Sequence, residues 1–154
     1  MIPNDVIQMM DAKRALFGLF FAFHNRLQAA GDSFYEEITC KQFFLLACMC
    51  LFPDEAPTPK DLAQVMGSSH QNVKQILNKL EHKGFIQILT DQKDKRKLRI
   101  YLTPKAEKMG VYNEKEEQFM EHLFQGIHEN QIKDTFAVIA QMEQNLIQMK
   151  GKKE

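Results

Sequence analysis

The sequence predicts a mainly α-helical protein with one small β-hairpin, which places it in the α+β class with helices dominant. Three observations support this prediction. Apolar residues recur at helical spacing over most of the 154 residues. Two short β-prone runs, at 85–90 and 98–103, flank a polar segment and indicate a hairpin. Threonine, serine, proline and glycine stand where the helical segments begin and end, as helix caps require.

The first helix is predicted over residues 5–30. Its segment Leu16 to Phe23 is apolar on nearly every side. A helix of this kind is buried or is covered by a partner. Gly31 and Asp32 are expected to end this helix, because glycine and aspartate favour turns.

Two further helices are predicted from the residues that begin them. Thr39 begins the second helix, because Gln42 follows three residues later at the spacing of a capping box. Pro53 is expected to stop it. Thr58 is a good N-cap for the third helix, and Pro59 suits its first position, where the missing N–H costs nothing.

The fourth helix is amphipathic. Gly67 ends the helix before it, and Ser68 or Ser69 can cap its own first turn. Its apolar stripe has the spacing i, i+3, i+4, i+7 and consists of Val73, Ile76, Leu77 and Leu80. The opposite face is polar and basic. Gly84 is expected to end this helix.

The hairpin follows directly, and we call it the wing, with residues 91–97 as its tip. Helix, turn, helix and hairpin in this order form a winged helix-turn-helix. Thr103 and Pro104 then begin another helical region, predicted to run to about Ile127 and to be interrupted or restarted near residues 128–130. A last helix is predicted from Gln131 to Met149.

Charge is divided unevenly along the chain. Residues 58–108 contain eleven Lys or Arg and five Asp or Glu, whereas the remainder contains nine and fifteen. A basic segment on an acidic scaffold suggests a polyanionic partner. Duplex DNA is such a partner, because lysine and arginine displace its condensed counterions. The alternative interpretation is a solvated basic face.

The fourth helix is expected to enter the DNA major groove with its N-terminal residues foremost. Its candidate base contacts are Ser69, His70, Gln71, Asn72 and Gln75, and its candidate phosphate contacts are Lys74 and Lys79. Asparagine and glutamine can each make two bonds to adenine, and this helix carries no arginine. We therefore expect a preference for A·T-rich sequence.

The tip of the wing supplies further candidate DNA contacts, namely Lys93, Lys95, Arg96 and Lys97. The planar Arg96 side chain suits a narrow minor groove, where A·T tracts concentrate negative potential. Asp94 is expected to shape the turn or to pair with a cation rather than to contact DNA. An exposed hairpin that charge keeps soluble is the alternative.

These residues resemble the MarR-type bacterial regulators, the multiple antibiotic resistance regulator family. The matching segments are Thr58 to Ala63, Val73 to Ile86, Asp91 to Arg96, Leu102-Thr103, Gly126 to Asn130 and Asn145-Leu146. The chain departs from the family at Ile88, where an arginine that braces the wing is usual, and at Ala106, where glycine is common. Neither departure affects the expected fold.

The resemblance implies an obligate homodimer that acts as a repressor on a pseudo-palindromic operator. It divides one integrated domain into an N-terminal dimerisation helix (1–35), a winged helix-turn-helix core (36–108) and C-terminal dimerisation helices (109–154). It also implies release by an effector bound between the dimerisation helices and the DNA-binding core. Nine methionines and twelve phenylalanines suit an apolar or phenolic effector.

Other chemistry has weaker support in the sequence. Cys40 lies in the first turn of the second helix, a position that lowers a thiol pKa, so it is a candidate redox sensor. Cys48 and Cys50 fit an apolar helix, and the five histidines form no close cluster, so no metal site is predicted. Glycine-rich phosphate loops, nucleophile elbows and metal-protease spacings do not occur, so we expect neither an enzyme nor a cofactor.

A protein-interaction module is the alternative function, because winged helices also bind proteins. The polar face of the fourth helix favours DNA instead. No apolar run reaches the ~18 residues that a membrane span needs, and no signal peptide is recognisable. The three cysteines give no disulfide framework. We therefore expect no membrane association and a cytoplasmic location.

Overall fold

The structure is a computed structural model that describes residues 11–110 and 114–151. Its helices are α1 (Ala12–Phe34), α2 (Cys40–Met49), α3 (Pro59–Val65), α4 (His70–His82), α5 (Pro104–Met109), α6 (Glu114–Leu123) and α7 (Glu129–Gly151). Its strands are β1 (Ile86–Thr90) and β2 (Leu98–Leu102). The predicted fold class, mainly helical with one hairpin, is confirmed.

The chain forms two compact units. One extends to Glu117 and the other begins at Gln118. The first unit contains the helix-turn-helix and the wing, and the second contains α7. The division into 1–35, 36–108 and 109–154 stays a prediction.

The core of the first unit forms where α2, α3, α4 and the wing meet. Its most fully buried side chains are Leu45, Leu46, Leu62, Val73, Leu77, Leu80, Phe85, Ile86 and Ile100. Three of the four residues in the predicted stripe of α4 belong to this set, and Ile76 packs against it half-buried. Since the stripe faces the core, the polar residues of α4 face outward.

The predicted helix starts agree with the structure. The Thr39 hydroxyl accepts a hydrogen bond from the backbone N–H of Gln42. The Gln42 side-chain oxygen accepts one from the backbone N–H of Thr39 in return. Thr58 and Asp61 form the same reciprocal box at the start of α3. The backbone N–H of Thr58 holds the pKa of the Asp61 carboxyl below its ordinary value. Local sequence therefore fixes where α2 and α3 begin.

The predicted end of the first helix is wrong. Helix α1 continues through Gly31 and Asp32 to Phe34, and the predicted residues before position 11 lie outside the described residues. Gly31 is buried because the Cys40 side chain lies directly against it. Asp32 accepts a hydrogen bond from the backbone N–H of Cys40 at 2.6 Å. Gly31 and Asp32 therefore form contacts between α1 and the start of α2, and they do not form a turn.

Replacement of Gly31 by alanine is expected to lower the free energy of unfolding by about 1–3 kcal/mol, the usual cost of overpacking. The added Cβ would lie 2.7 Å from the Cβ of Cys40. Urea denaturation measures the change. Gly18→Ala in the same helix is the matched control, because a Cβ there meets no described atom within 4 Å. Equal stability of the two variants would refute the close packing.

A second correction concerns the helical region after the wing. A continuous helix to about Ile127 was predicted, but α5 ends at Met109, and Gly110 has a φ of 66°. A left-handed glycine is a common helix terminator. Helix α6 then begins at Glu114. The predicted restart near 128–130 agrees with α7, which begins at Glu129.

The wing is antiparallel, with Ile88 opposite Ile100. The backbone N–H of Ile100 donates to the carbonyl oxygen of Pro57 at 3.0 Å, so the chain before α3 lies along the outer edge of β2. At the base of the wing, the Thr103 hydroxyl donates to the carbonyl oxygen of Gly84 at 2.6 Å. These contacts fix the wing to the helix-turn-helix.

Candidate nucleic-acid interface

Helix α4 begins at the turn after α3. Gly67 has a φ of 60°, which allows the tight turn between the two helices. Ser69 is the N-cap, and its hydroxyl accepts a hydrogen bond from the backbone N–H of Asn72 at 3.2 Å. The Asn72 side chain takes no part in this cap and is exposed.

The candidate DNA contacts of α4 share one property, exposure to solvent. They are Ser69, His70, Gln71, Asn72, Lys74, Gln75 and Lys79. The buried stripe on the other side holds this face outward. The structure thus presents amide, hydroxyl and ammonium groups together on one helix, which is the chemistry that base edges and phosphates require. Their contact with DNA remains a prediction.

Asp91 organises the tip of the wing. One of its carboxylate oxygens accepts hydrogen bonds from the backbone N–H groups of Lys93 and Asp94, both at 2.7 Å. The tip closes through Lys97, whose N–H donates to the carbonyl of Asp94 at 2.8 Å. This is an Asx-type turn, in which a side chain replaces a backbone acceptor. The four cations of the tip are therefore displayed on a structured turn.

Arg99 holds this turn from the side. Its Nε donates to the second carboxylate oxygen of Asp91 at 2.6 Å. Its two Nη atoms donate to the carbonyl oxygen of Ala56 at 2.8 Å and to a carboxylate oxygen of Glu55 at 2.6 Å. The side chains of Arg99 and Asp91 are 13% and 10% exposed. The wing turn is thereby joined to the loop before α3.

Arg99 was not predicted from the sequence to have a role. The bracing arginine that is usual in the family is absent at Ile88, and Arg99 supplies a brace from β2 instead. A basic residue within the apolar run of β2, eight positions after an aspartate, was the available signal. The loop contacts could not be inferred, since Glu55 and Ala56 are more than 40 residues away in sequence.

Asp94 has the role that the sequence suggested, a turn former paired with a cation. Its carboxylate accepts hydrogen bonds from the backbone N–H and the Nε of Arg96, both at 3.1 Å. The Arg96 side chain is 91% exposed. A pair this exposed contributes little to stability, so the Arg96 guanidinium is accessible to a phosphate or a groove.

The start of α3, α4 and the tip of the wing enclose an open cleft of about 720 Å³. Its basic lining residues are Lys60, Lys74, Arg96, Lys97 and Arg99, beside His70 and the acidic Glu55 and Asp61. The cleft unites predicted residues from the helix and from the wing. Lys60 was not predicted, although its place beside the N-cap of α3 could have suggested it. A concave surface with this lining suits a phosphate backbone.

The remaining predicted residues lie on the same elements but outside the cleft lining. They are Ser69, Gln71, Asn72, Gln75, Lys79, Lys93 and Lys95. Each is exposed. The structure therefore brings four of the eleven predicted residues into one concave surface and leaves the other seven exposed on α4 and on the wing beside it.

The stability contributed by Asp91 is expected to disappear in acid. The N–H of Asp94 and then the Arg99 guanidinium lower the pKa of Asp91 from 3.8 to about 2. Because the folded-state pKa is depressed, this stability is present above the unfolded value and is lost as the pH falls towards 2. The measurement is urea denaturation of Asp91→Asn and of the unmodified protein over this pH range. The difference in their free energies of unfolding should be constant at neutral pH and should shrink in acid.

Asp54→Asn is the control for the loss of one exposed carboxylate. A pH-independent stability difference for Asp91→Asn would contradict the assignment.

Cys40 differs from its expected chemistry. Burial, and then the Asp32 carboxylate, raise the pKa of the Cys40 thiol, whereas a helix N-terminus was expected to lower it. The Cys40 side chain lies directly against Gly31. Thiol sensing at Cys40 stays a prediction. Over residues 11–110 and 114–151, no three His, Cys, Asp or Glu side chains gather into a possible metal site.

Among the described helices, none combines the length and the apolar character of a membrane span.

Comparison with known proteins gives a match over the helix-turn-helix, the first strand of the wing and its tip. The model of the MarR family matches residues 38–97, which include α2, α3, α4 and β1. The matched segment contains all eleven residues that the sequence analysis predicted to contact DNA.

Solved structures extend the similarity to most of the chain. S. aureus MepR, in complex with DNA, is 22% identical, with a TM-score of 0.72 over 82% of this chain and 95% of that chain. A MarR/EmrR family transcriptional regulator from an Acinetobacter species is 16% identical, with a TM-score of 0.75 over 90% and 99%. Bordetella bronchiseptica BpsR, whose DNA binding is regulated by 6-hydroxynicotinic acid, is 18% identical, with a TM-score of 0.71 over 82% and 91%. These likenesses show a shared fold.

Proposed function

We propose that this chain is a MarR-type homodimeric transcriptional repressor that binds a pseudo-palindromic operator and is released by an effector, because residues 38–97 match the model of the MarR family. Proteins of this family are transcription regulators and not enzymes. The alternative is a winged-helix module that binds proteins without specific DNA binding.

One observation carries the proposal, the joint display of α4 and the wing around a cationic cleft. The exposed face of α4 offers amides for base edges, and the cleft offers Lys60, Lys74 and Lys97 for phosphates. A protein-binding surface would be expected to carry more apolar side chains on this face. The DNA complex of the similarly folded S. aureus MepR adds support.

Exposed apolar side chains support the homodimer. In the first unit, Phe17 and Phe21 of α1 are 63% and 62% exposed and stack edge to face at 5.2 Å. In the second unit, α7 has no buried residue, and Phe136 is 75% exposed. Apolar patches of this kind mark surfaces that a partner covers. A second copy of the chain is the partner we propose, as the family resemblance implies.

Effector release is proposed by analogy with BpsR, whose DNA binding responds to 6-hydroxynicotinic acid. A ligand that favours one arrangement of the two DNA-binding units would shift the population of that arrangement. A small apolar or phenolic compound fits the methionine and phenylalanine content of the chain. We place the protein in the bacterial cytoplasm, where its DNA target would be.

The test is duplex binding by fluorescence anisotropy, with a selected pool compared with random sequence across a salt series. We expect a complex of dimer size that prefers a palindrome and weakens steeply with salt, because counterions are released on binding. Lys74→Ala should reduce the salt slope by about 1. Lys133→Ala, which removes the same charge from exposed α7, is the matched control and should leave the slope unchanged. Flat, weak binding to every duplex would support the protein-interaction module instead.

A further inference from the structure

We propose that Arg99 is a positioning residue, which holds the wing in its DNA-binding placement by tying the wing turn to the loop before α3. The inference rests on the proposed function and deepens it. Arg99 was not among the residues predicted to contact DNA, and it lies on β2 rather than at the exposed tip.

The geometry joins two segments that the sequence separates. Three nitrogen atoms of one guanidinium are used, with Asp91 in the wing on one side and Glu55 and Ala56 in the loop on the other. The three distances are 2.6, 2.8 and 2.6 Å. Arginine suits this position because its donors form a rigid fork, whereas lysine presents a single point charge.

Because its donors are used in these contacts, the Arg99 guanidinium is poorly available to bind a phosphate. Its charge is opposed by two carboxylates within hydrogen-bonding distance, those of Asp91 and Glu55. Its side chain is 13% exposed, whereas that of Arg96 is 91% exposed. Arg99 does line the cleft, so a direct phosphate contact is the competing role that an experiment must separate.

Loss of Arg99 would weaken DNA binding by altering the turn at the tip of the wing. The Asp91 carboxylate that Arg99 holds also receives the N–H groups of Lys93 and Asp94. Loss of Arg99 frees this carboxylate to move and detaches the tip from the loop. The cations of the tip would then bind from a wider range of positions, with a higher entropic cost for each contact.

The experiment compares Arg99→Met, Arg99→Lys and the matched control Arg96→Met. Hydrogen exchange without DNA should be about 5- to 30-fold faster at the Lys93 and Asp94 amides in both Arg99 variants, which corresponds to one or two kcal/mol of lost stability. The amides of α4 should keep their protection. In Arg96→Met, the Lys93 amide should exchange at the same rate as in the unmodified protein.

Anisotropy on the selected duplex then separates positioning from contact. Both Arg99 variants should bind DNA more weakly, and the salt slope should not change. Discrimination between base pairs should be lost at the flanking positions that the wing reaches. Arg96→Met should reduce the slope by about 1, as expected for a phosphate contact. An Arg99→Met variant with that reduced slope and normal exchange would overturn the proposal. So would full restoration of affinity by Arg99→Lys.

Two further results keep the test decisive. If Arg99→Met does not fold, Arg99→Lys, which leaves the Asp91 acceptor intact, must still show the faster exchange at Lys93 and Asp94, and exchange there at the rate of the unmodified protein would overturn the proposal. If the unmodified protein shows no preference for any duplex, the proposed function fails. The exchange measurement, made without DNA, still decides whether Arg99 holds the wing.

Discussion

Phe85→Ala is expected to lower the free energy of unfolding by about 3–5 kcal/mol, the usual cost of removing a buried phenylalanine side chain. Phe85 is 1% exposed and lies between the end of α4 and the start of β1. Its carbonyl accepts the N–H of Thr103 at 3.0 Å, and the Lys105 ammonium lies 4.4 Å from its ring centroid. The loss of the ring would leave a cavity where helix, strand and α5 meet. Urea denaturation followed by circular dichroism measures the change.

Leu89→Ala is the matched control for this prediction. Leu89 belongs to the same hairpin but is 50% exposed. Its replacement should change stability by no more than about 0.5 kcal/mol, as for most surface positions. If both variants lose the same stability, then Phe85 does not occupy the core as described.

Asn72→Ala is expected to weaken binding to the selected duplex by about 1–3 kcal/mol and to relax discrimination at one base pair. The Asn72 side chain is exposed on the first turn of α4, where amides can make two bonds to adenine. The cap of α4 uses the Asn72 backbone N–H and the Ser69 hydroxyl, and both remain in the variant. Thermal stability should therefore change little. Anisotropy on the selected sequence, its single-base variants and random DNA tests the prediction.

Asn78→Ala provides the matched control within the same helix. Asn78 is also exposed, but it lies nearly two turns further from the N-terminus of α4. Its replacement should leave discrimination unchanged. An equal loss for Asn72→Ala on selected and random DNA would assign Asn72 to phosphate binding or to no direct role in specificity.

Local patterns in the sequence were sufficient to predict the helices and the hairpin of the winged helix-turn-helix. The capping boxes at Thr39 and Thr58 and the cap at Ser69 involve residues three apart, so their chemistry is visible in a short window. The stripe of α4 is likewise periodic, and its burial fixes which face is exposed. The exposure of the predicted contact residues on α4 follows from that burial.

Long-range contacts decided what the sequence did not predict. Gly31 looked like a helix breaker, but the close approach of Cys40 explains both the glycine and the continuation of α1. Gly110, by contrast, ends a helix that was predicted to continue to about Ile127, and its φ of 66° is one that glycine adopts readily. Glycine is compatible with either role, so its identity alone could not distinguish them.

The sequence by itself determined the fold class, the starts of α2 and α3, the start of α4 to within one residue (Ser68 or Ser69), and which residues of α4 and the wing face outward. These features depend on capping, periodicity and turn chemistry within a few residues. Only the tertiary structure decided that Arg99 joins Asp91 to Glu55 and Ala56, and that burial raises the Cys40 pKa. Both depend on atoms from distant segments, whose approach is set by the packing of the whole core rather than by any local pattern.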